Sequence, residues 1–191
     1  EGSEGDQIRL HKQNTVETCF LQAKKGQTLE WFTGNYGLTF SMPDMDETVR
    51  RKCMKILVID AQGGGLGKQL ITRIKKDMPE LTVMAVGTNT TATAAMLKAG
   101  ADEAATGENA VIVASRKADI IIGPIGMVIA DAMMGEITPK MALAVAQSDA
   151  IRIIIPFSNC DNYVAGVSDF GISRLTEDAL LFLKNHLTID I

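Results

Sequence analysis

The stretch Lys55-Ile56-Leu57-Val58-Ile59-Asp60 runs directly into Ala61-Gln62-Gly63-Gly64-Gly65-Leu66-Gly67-Lys68. An apolar, β-branched run that ends in a glycine cluster and then turns helical predicts the first βα unit of a nucleotide-binding sheet. Glycines let the backbone come close to a phosphate, and the helix that follows points its positive end toward it. This reading requires main-chain amides just past the opening strand that are bare and face an anion.

Downstream of that unit, strand and helix signals alternate. Strand one is Lys55 to Asp60. Helix one starts at Gly67 with Leu70, Ile71, Ile74 and Met78 on one face, and Pro79 closes it. Strand two is Leu81 to Val86, and helix two runs from about Thr91 to Ala99 with Gly100 just past its end. A short strand is expected at Glu103 to Ala105, then a helix from Asn109, its N-cap, to Lys117. Strand four is Asp119 to Ile122. Gly126 to Met134 reads as a helix, and Thr138 caps another with Pro139 at its first position. Strand five is Ile151 to Ile155, a sixth is expected at Tyr163 to Val167, and a final amphipathic helix begins at Thr176.

Strands that are apolar on both faces and separated by helices mean a parallel sheet covered on both sides. Right-handed crossovers make it a doubly wound, Rossmann-like α/β fold. The domain is assigned to residues 54–191. Residues 1–53 form a β-rich appendage or extension, with a flexible lead at Glu1 to Gly5 and strand-like pieces at Ile8–Leu10, Val16–Leu21, Leu29–Phe32 and Leu38–Met42. Lys25-Gly26 and Gly34-Asn35 supply turns between them, and Asp44 to Arg51 reads as a short helical linker.

The bulk properties narrow the partners. A net charge of −4 argues against a general nucleic-acid surface. No apolar stretch approaches the roughly 20 residues that span a bilayer. The three cysteines, Cys19, Cys53 and Cys160, are odd in number and widely spaced, which points to a reducing, cytoplasmic location. With His11 and His186 the only histidines and no CxxC pair, no metal site is expected.

In a doubly wound sheet the ligand lies beyond the carboxyl ends of the strands. Those ends are Gln62–Gly67, Gly87–Thr91, Thr106–Asn109, Gly123–Gly126 and Ser158–Asn162, all rich in Gly, Ser, Thr and Asn. Turns are built from the same residue types. Their convergence at one sheet edge favours a site. The cofactor-binding candidates are therefore Gln62, Gly63, Gly64, Gly65, Leu66, Gly67 and Lys68, then Gly87, Thr88 and Asn89, then Gly123, Pro124, Ile125 and Gly126, then Ser158 and Asn159.

With those loops in hand, Met54 to about Leu187 resembles a short bacterial family, the domain of unknown function 3842. The resemblance rests on Val58 to Gly67, Gly123-Pro124-Ile125-Gly126, Gly135-Glu136-Ile137-Thr138-Pro139 and Ile155-Pro156-Phe157-Ser158-Asn159-Cys160. It implies a Rossmann-like domain and no particular activity.

The glycine loop admits two ligand readings. Gly63 and Gly65 match the first two glycines of G-x-G-x-x-G, but Lys68 stands at the third, and no acidic residue follows strand two to hold a ribose. Gly87-Thr88-Asn89-Thr90-Thr91 offers hydroxyls and an amide instead. NAD(P) or another nucleotide is the expected cofactor class. Alternatively, Gly64-Gly65-Leu66-Gly67-Lys68-Gln69 resembles a deviant phosphate loop in which Gln69 replaces the magnesium-binding hydroxyl, and Lys68 is either a phosphate contact or an exposed first-turn lysine.

Catalytic candidates are weaker. Cys160 is a nucleophile by position, but neither histidine is near it in sequence, and a small buried residue is the simpler account. Asp161 could orient a ligand hydroxyl. Asp60 could be a general base, a ribose partner or a turn cap. Glu108 and Glu136 lie near predicted loops, with no spacing that pairs them. The Met-rich stretch at Met127, Met133, Met134 and Met141 fits helix core or a dimer surface. The expectation is a nucleotide-like small-molecule ligand and a homo-oligomer. The alternatives are a non-catalytic ligand-sensing or scaffold homo-oligomer and a flavodoxin-like phosphate-binding enzyme. No reaction is implied.

Overall fold

The structure, a computed structural model, describes residues 29–33, 36–40, 54–156, 164–165, 167 and 171–189. The chain packs as two units, Glu1–Glu47 and Thr48–Ile191. In the first, β1 (Leu29–Thr33) and β2 (Tyr36–Phe40) pair antiparallel, with Thr33 opposite Tyr36 across the Gly34-Asn35 dipeptide. The strands expected at Ile8–Leu10 and Val16–Leu21, the Lys25-Gly26 turn and the helical linker at Asp44–Arg51 lie outside the described residues.

The second unit holds β3 (Lys55–Asp60), α1 (Gly65–Asp77), β4 (Thr82–Gly87), α2 (Thr90–Lys98), β5 (Glu103–Thr106), α3 (Glu108–Ser115), β6 (Ile120–Pro124), a 3-10 turn η1 (Ile125–Val128), α4 (Pro139–Ala146), β7 (Ile151–Ile155) and α5 (Ile172–Ile189). All five strands are parallel, in the spatial order β5-β4-β3-β6-β7. Counted from β3, the order is 3-2-1-4-5, the doubly wound Rossmann arrangement rather than the flavodoxin order 2-1-3-4-5. The chain moves outward from β3 to β5, then returns to the other side of β3. The reversal falls between β3 and β6.

The apolar runs explain why the central strands β3, β4 and β6 are buried on both faces, whereas β5 is largely exposed and β7 alternates. Along β3, Ile56 and Val58 point to one side and Leu57 and Ile59 to the other. The first side packs on Leu70, Ile71 and Ile74 of α1, Met96 of α2 and Leu180 and Leu183 of α5. The second packs on Val111 and Ala114 of α3 and Met141, Ala142 and Val145 of α4.

Several boundaries differ from the sequence expectation. The third helix is capped by Gly107 and begins at Glu108, so Asn109 is inside it rather than its cap. Asn89 caps α2, accepting from the Ala92 amide. The stretch Gly126 to Met134 is not a helix. Only η1 is helical, and Asp131, Met133 and Met134 take left-handed backbone angles that an α-helix cannot contain. In the stretch expected as a sixth strand, the amide of Val167 donates to the carbonyl of Val164, which makes a turn. The last helix starts at Ile172, and Thr176 is buried within it, donating its hydroxyl to the Ile172 carbonyl.

Candidate nucleotide-binding crevice

The crevice at the sheet reversal is set by register. β3 pairs with β4 through Asp60 and Gly87, whereas its pairing with β6 runs only from Ile56 to Val58. The β3–β6 pairing ends at Val58 and Ile122. Gly123 comes next, where a Cβ would come within 2.5 Å of the Ile59 carbonyl oxygen.

The glycine cluster divides into two roles. Gly64 has φ +68° and lies so close to α2 that a Cβ would be 2.8 Å from the Ala92 backbone. A Cβ on Gly67 would lie 2.5 Å from the Met96 sulfur and 3.0 Å from the Asp60 Cβ. Both glycines let α1 begin tight against α2. Gly63 and Gly65 are exposed, and a Cβ on either would meet nothing within 4 Å. These two face open space. Leu66 is buried in the core below, and Lys68 is exposed on α1 while its amide donates to the Gly64 carbonyl.

The expectation of bare amides past the opening strand needs correction. Asp60 turns its carboxylate back under the loop, accepting from the Ala61 amide at 2.8 Å and the Gly67 amide at 2.7 Å. It is buried and serves as the cap of α1, whose N-cap residue Gly64 has no side chain to offer. Burial pushes the Asp60 carboxyl above the ordinary value against the pull of its amides, and the charge of Glu136 adds to the rise. The Gln62 amide is also taken, donating to Glu136 at 2.8 Å. Among the described residues, the loop amides left without an acceptor are those of Gly63 and Gly65.

Glu136 is the group that sequence reasoning left unplaced. One of its oxygens, Oε2, accepts from the Gln62 amide, from the Thr88 hydroxyl at 2.5 Å and from the Asn89 side-chain amide at 2.9 Å. Asn89 also donates to the Gln62 carbonyl at 3.0 Å, so its side chain caps α2 with its oxygen and stitches the glycine loop to Glu136 with its nitrogen. Partial burial raises the Glu136 carboxyl, but the three donors outweigh it and hold the group below its usual value.

Glu136 is carried by a turn that bonds mainly to itself. The Asp131 amide donates to the Ile137 carbonyl at 2.8 Å, and the Ile137 amide returns to Ala132. Asp131, Met133 and Met134 all have φ near +60°, which costs roughly 1–2 kcal/mol per residue. Met134 is 96% exposed, and Met133 packs over Gly126. Thr138 caps α4 and donates to Glu108 at 2.7 Å, which ties the start of α4 to the start of α3.

The remaining candidates fall as follows. Gly87, Thr88 and Asn89 sit at the end of β4 beside the glycine loop, and a Cβ on Gly87 would collide with Thr93. Pro124 ends β6, and Ile125 and Gly126 begin η1. Ser158, Asn159, Cys160 and Asp161 lie outside the described residues. Among the described residues no cluster of His, Cys, Asp and Glu could hold a metal ion.

A family model for a domain of unknown function (DUF3842) matches residues 55–188. The chain belongs to the DUF3842 family. The match spans the whole parallel sheet and ends within α5, so the glycine loop, the Thr88-Asn89 corner and the Glu136 turn all lie inside the DUF3842 region. No curated protein matches the sequence. Among solved structures, the chain is similar to a dodecameric FMN-dependent UbiX-like decarboxylase from Escherichia coli O157:H7, with 16% identity over 69% of this chain and 75% of that one and a TM-score of 0.35. At that score the likeness carries no argument about ligand or assembly.

Proposed function

We propose that this DUF3842 protein binds a nucleotide or dinucleotide, of the NAD(P) class or a related one, in the crevice between β3 and β6. The observation that carries this reading is the glycine loop at the sheet reversal, with Gly63 and Gly65 opening onto unoccupied space. A phosphate would face the amides of Gly63 and Gly65, because those of Ala61, Gln62 and Gly67 are already bonded. The loop carrying Gly123 to Gly126 completes the rim in this proposal, and Ser158 and Asn159 are proposed as further ligand contacts. A small-molecule partner, rather than nucleic acid, fits the net charge of −4. Among the described residues no helix is long and apolar enough to cross a membrane. The proposal extends to a cytoplasmic homo-oligomer, for which the exposed Leu181 and Phe182 on α5 offer apolar surface. No reaction is proposed.

The test is a thermal-shift screen with NAD, NADP, ATP, GTP and FMN on the native chain and on Gly65→Val. Gly65 has ordinary backbone angles and free space around it, so valine should fold and fill the crevice. One nucleotide class should raise the native melting temperature, and the variant should lose that rise. A rise of equal size in Gly65→Val would remove the glycine loop from the site.

A further inference from the structure

In a sheet of this order, the second strand ordinarily ends in an acidic residue that accepts the ribose hydroxyls of a dinucleotide. Here β4 ends in Gly87-Thr88-Asn89, with no carboxylate. The structure nevertheless places a carboxylate at that corner, delivered from another part of the chain. Glu136 lies 48 residues beyond Thr88 in sequence and is held against it by the Thr88 hydroxyl.

The way it is held bears on what it would take. All three protein donors converge on Oε2, and Oε1 carries no bond among the described residues. One oxygen thus fixes the carboxylate, and the other is left to accept. A carboxylate accepts from hydroxyls and repels phosphates. Without Glu136, the Gln62 amide, Thr88 hydroxyl and Asn89 amide would form a set of three donors suited to an anion. With it, the same corner is a hydroxyl acceptor.

We infer that Glu136 is the ribose-binding and specificity-determining residue of this crevice, selecting a nucleotide with free ribose hydroxyls over one phosphorylated at the 2′ position. The inference rests on the nucleotide reading above and adds to it the class of ribose accepted. The left-handed turn at Asp131, Met133 and Met134 then has a role, because it brings a distant glutamate to the end of β4. Strained backbone of this kind gathers where geometry serves a site.

The test compares NAD with NADP, which differ by the 2′-phosphate alone, in calorimetric titrations of native protein, Glu136→Gln and Gly65→Val. Gln keeps the shape and can still accept on one atom, and unchanged circular dichroism would show that it folds. NAD should bind the native protein at least about tenfold more tightly than NADP, and Glu136→Gln should shrink that ratio to within about threefold, through weaker NAD and stronger NADP binding. Equal affinities in the native protein, or a ratio that Glu136→Gln leaves intact, would overturn the inference while sparing the nucleotide reading. NADP bound more tightly than NAD would overturn it too, and would make Glu136 an internal anion that a phosphate displaces. If neither ligand binds the native protein, the dinucleotide reading fails and this inference fails with it. Loss of both ligands in Gly65→Val, with the ratio still dependent on Glu136, would support both.

Discussion

The loop after β3 and the turn after η1 meet at one corner of the sheet, but they are supported in different ways. The glycine loop is held from beneath. Asp60 bonds two of its amides from a buried position, and Gly64 and Gly67 seat it against α2. The Glu136 turn is anchored by its neighbour Ile137, which is buried in the second core, but the glutamate side chain itself is held at its tip. The turn's own backbone bonds close it, three of its non-glycine residues sit in left-handed angles, and Glu136 reaches across to the first loop. A buried support fixes geometry at a high energetic cost of failure, whereas a contact made at the tip can be lost without unfolding the domain.

The contrast can be broken most severely at Gly64. Valine there would combine left-handed strain with a clash against the Ala92 backbone, and we expect about 3–5 kcal/mol of lost stability in denaturant unfolding. A loss below about 1 kcal/mol, similar to that of Gly65→Val, would mean that the two glycine roles are not distinct. Next come the two carboxylates. Asp60→Ala strands buried amides and should cost about 2–3 kcal/mol, while Glu136→Ala frees donors that water can reach and should cost about 1 kcal/mol or less. Urea midpoints for the pair would check the order, and a reversal would assign the main support to the turn.

Smaller effects sharpen the same comparison. Met134→Gly relieves a left-handed angle at an almost fully exposed side chain, offset in part by glycine's chain entropy, so a gain of about 0.5 kcal/mol is expected from melting curves. The least effect is in pH dependence. The Glu136 carboxyl is held below its ordinary value of 4.5, so the stability it contributes is complete above that value and is lost as pH falls through its lower folded value. Asp60 is raised, so its contribution runs the other way and declines as pH climbs through its elevated folded value. Below pH 4.5, Glu136→Gln should therefore lose stability with acid less steeply than the native chain does. Parallel acid limbs in the two proteins would remove Glu136 from the linkage.

Much of the fold was legible in the sequence because its signals are local. The run from Lys55 to Asp60, the wholly apolar Ile120-Ile121-Ile122 and the amphipathic face of Leu70, Ile71 and Ile74 each identify an element without outside help. The glycine loop was legible as a turn but not as two kinds of glycine, because what separates Gly64 from Gly65 is the backbone of α2. The Glu136 corner was not legible. Its bonds reach Gln62 and Thr88 across long separations, through a turn whose Asp131, Met133 and Met134 carry no preference strong enough to announce left-handed angles. The same Met- and Ala-rich composition pointed to a helix there instead.

The link between Gln62 and Glu136 spans 74 residues, and it bears on how this domain could be cut and recombined. Grafting β3, the glycine loop and α1 onto a foreign scaffold would carry over the phosphate-facing glycines and leave behind the carboxylate that completes their neighbourhood. A chimera meant to keep this ligand preference would have to include everything through the start of α4. In this domain the smallest portable unit of recognition is most of the sheet.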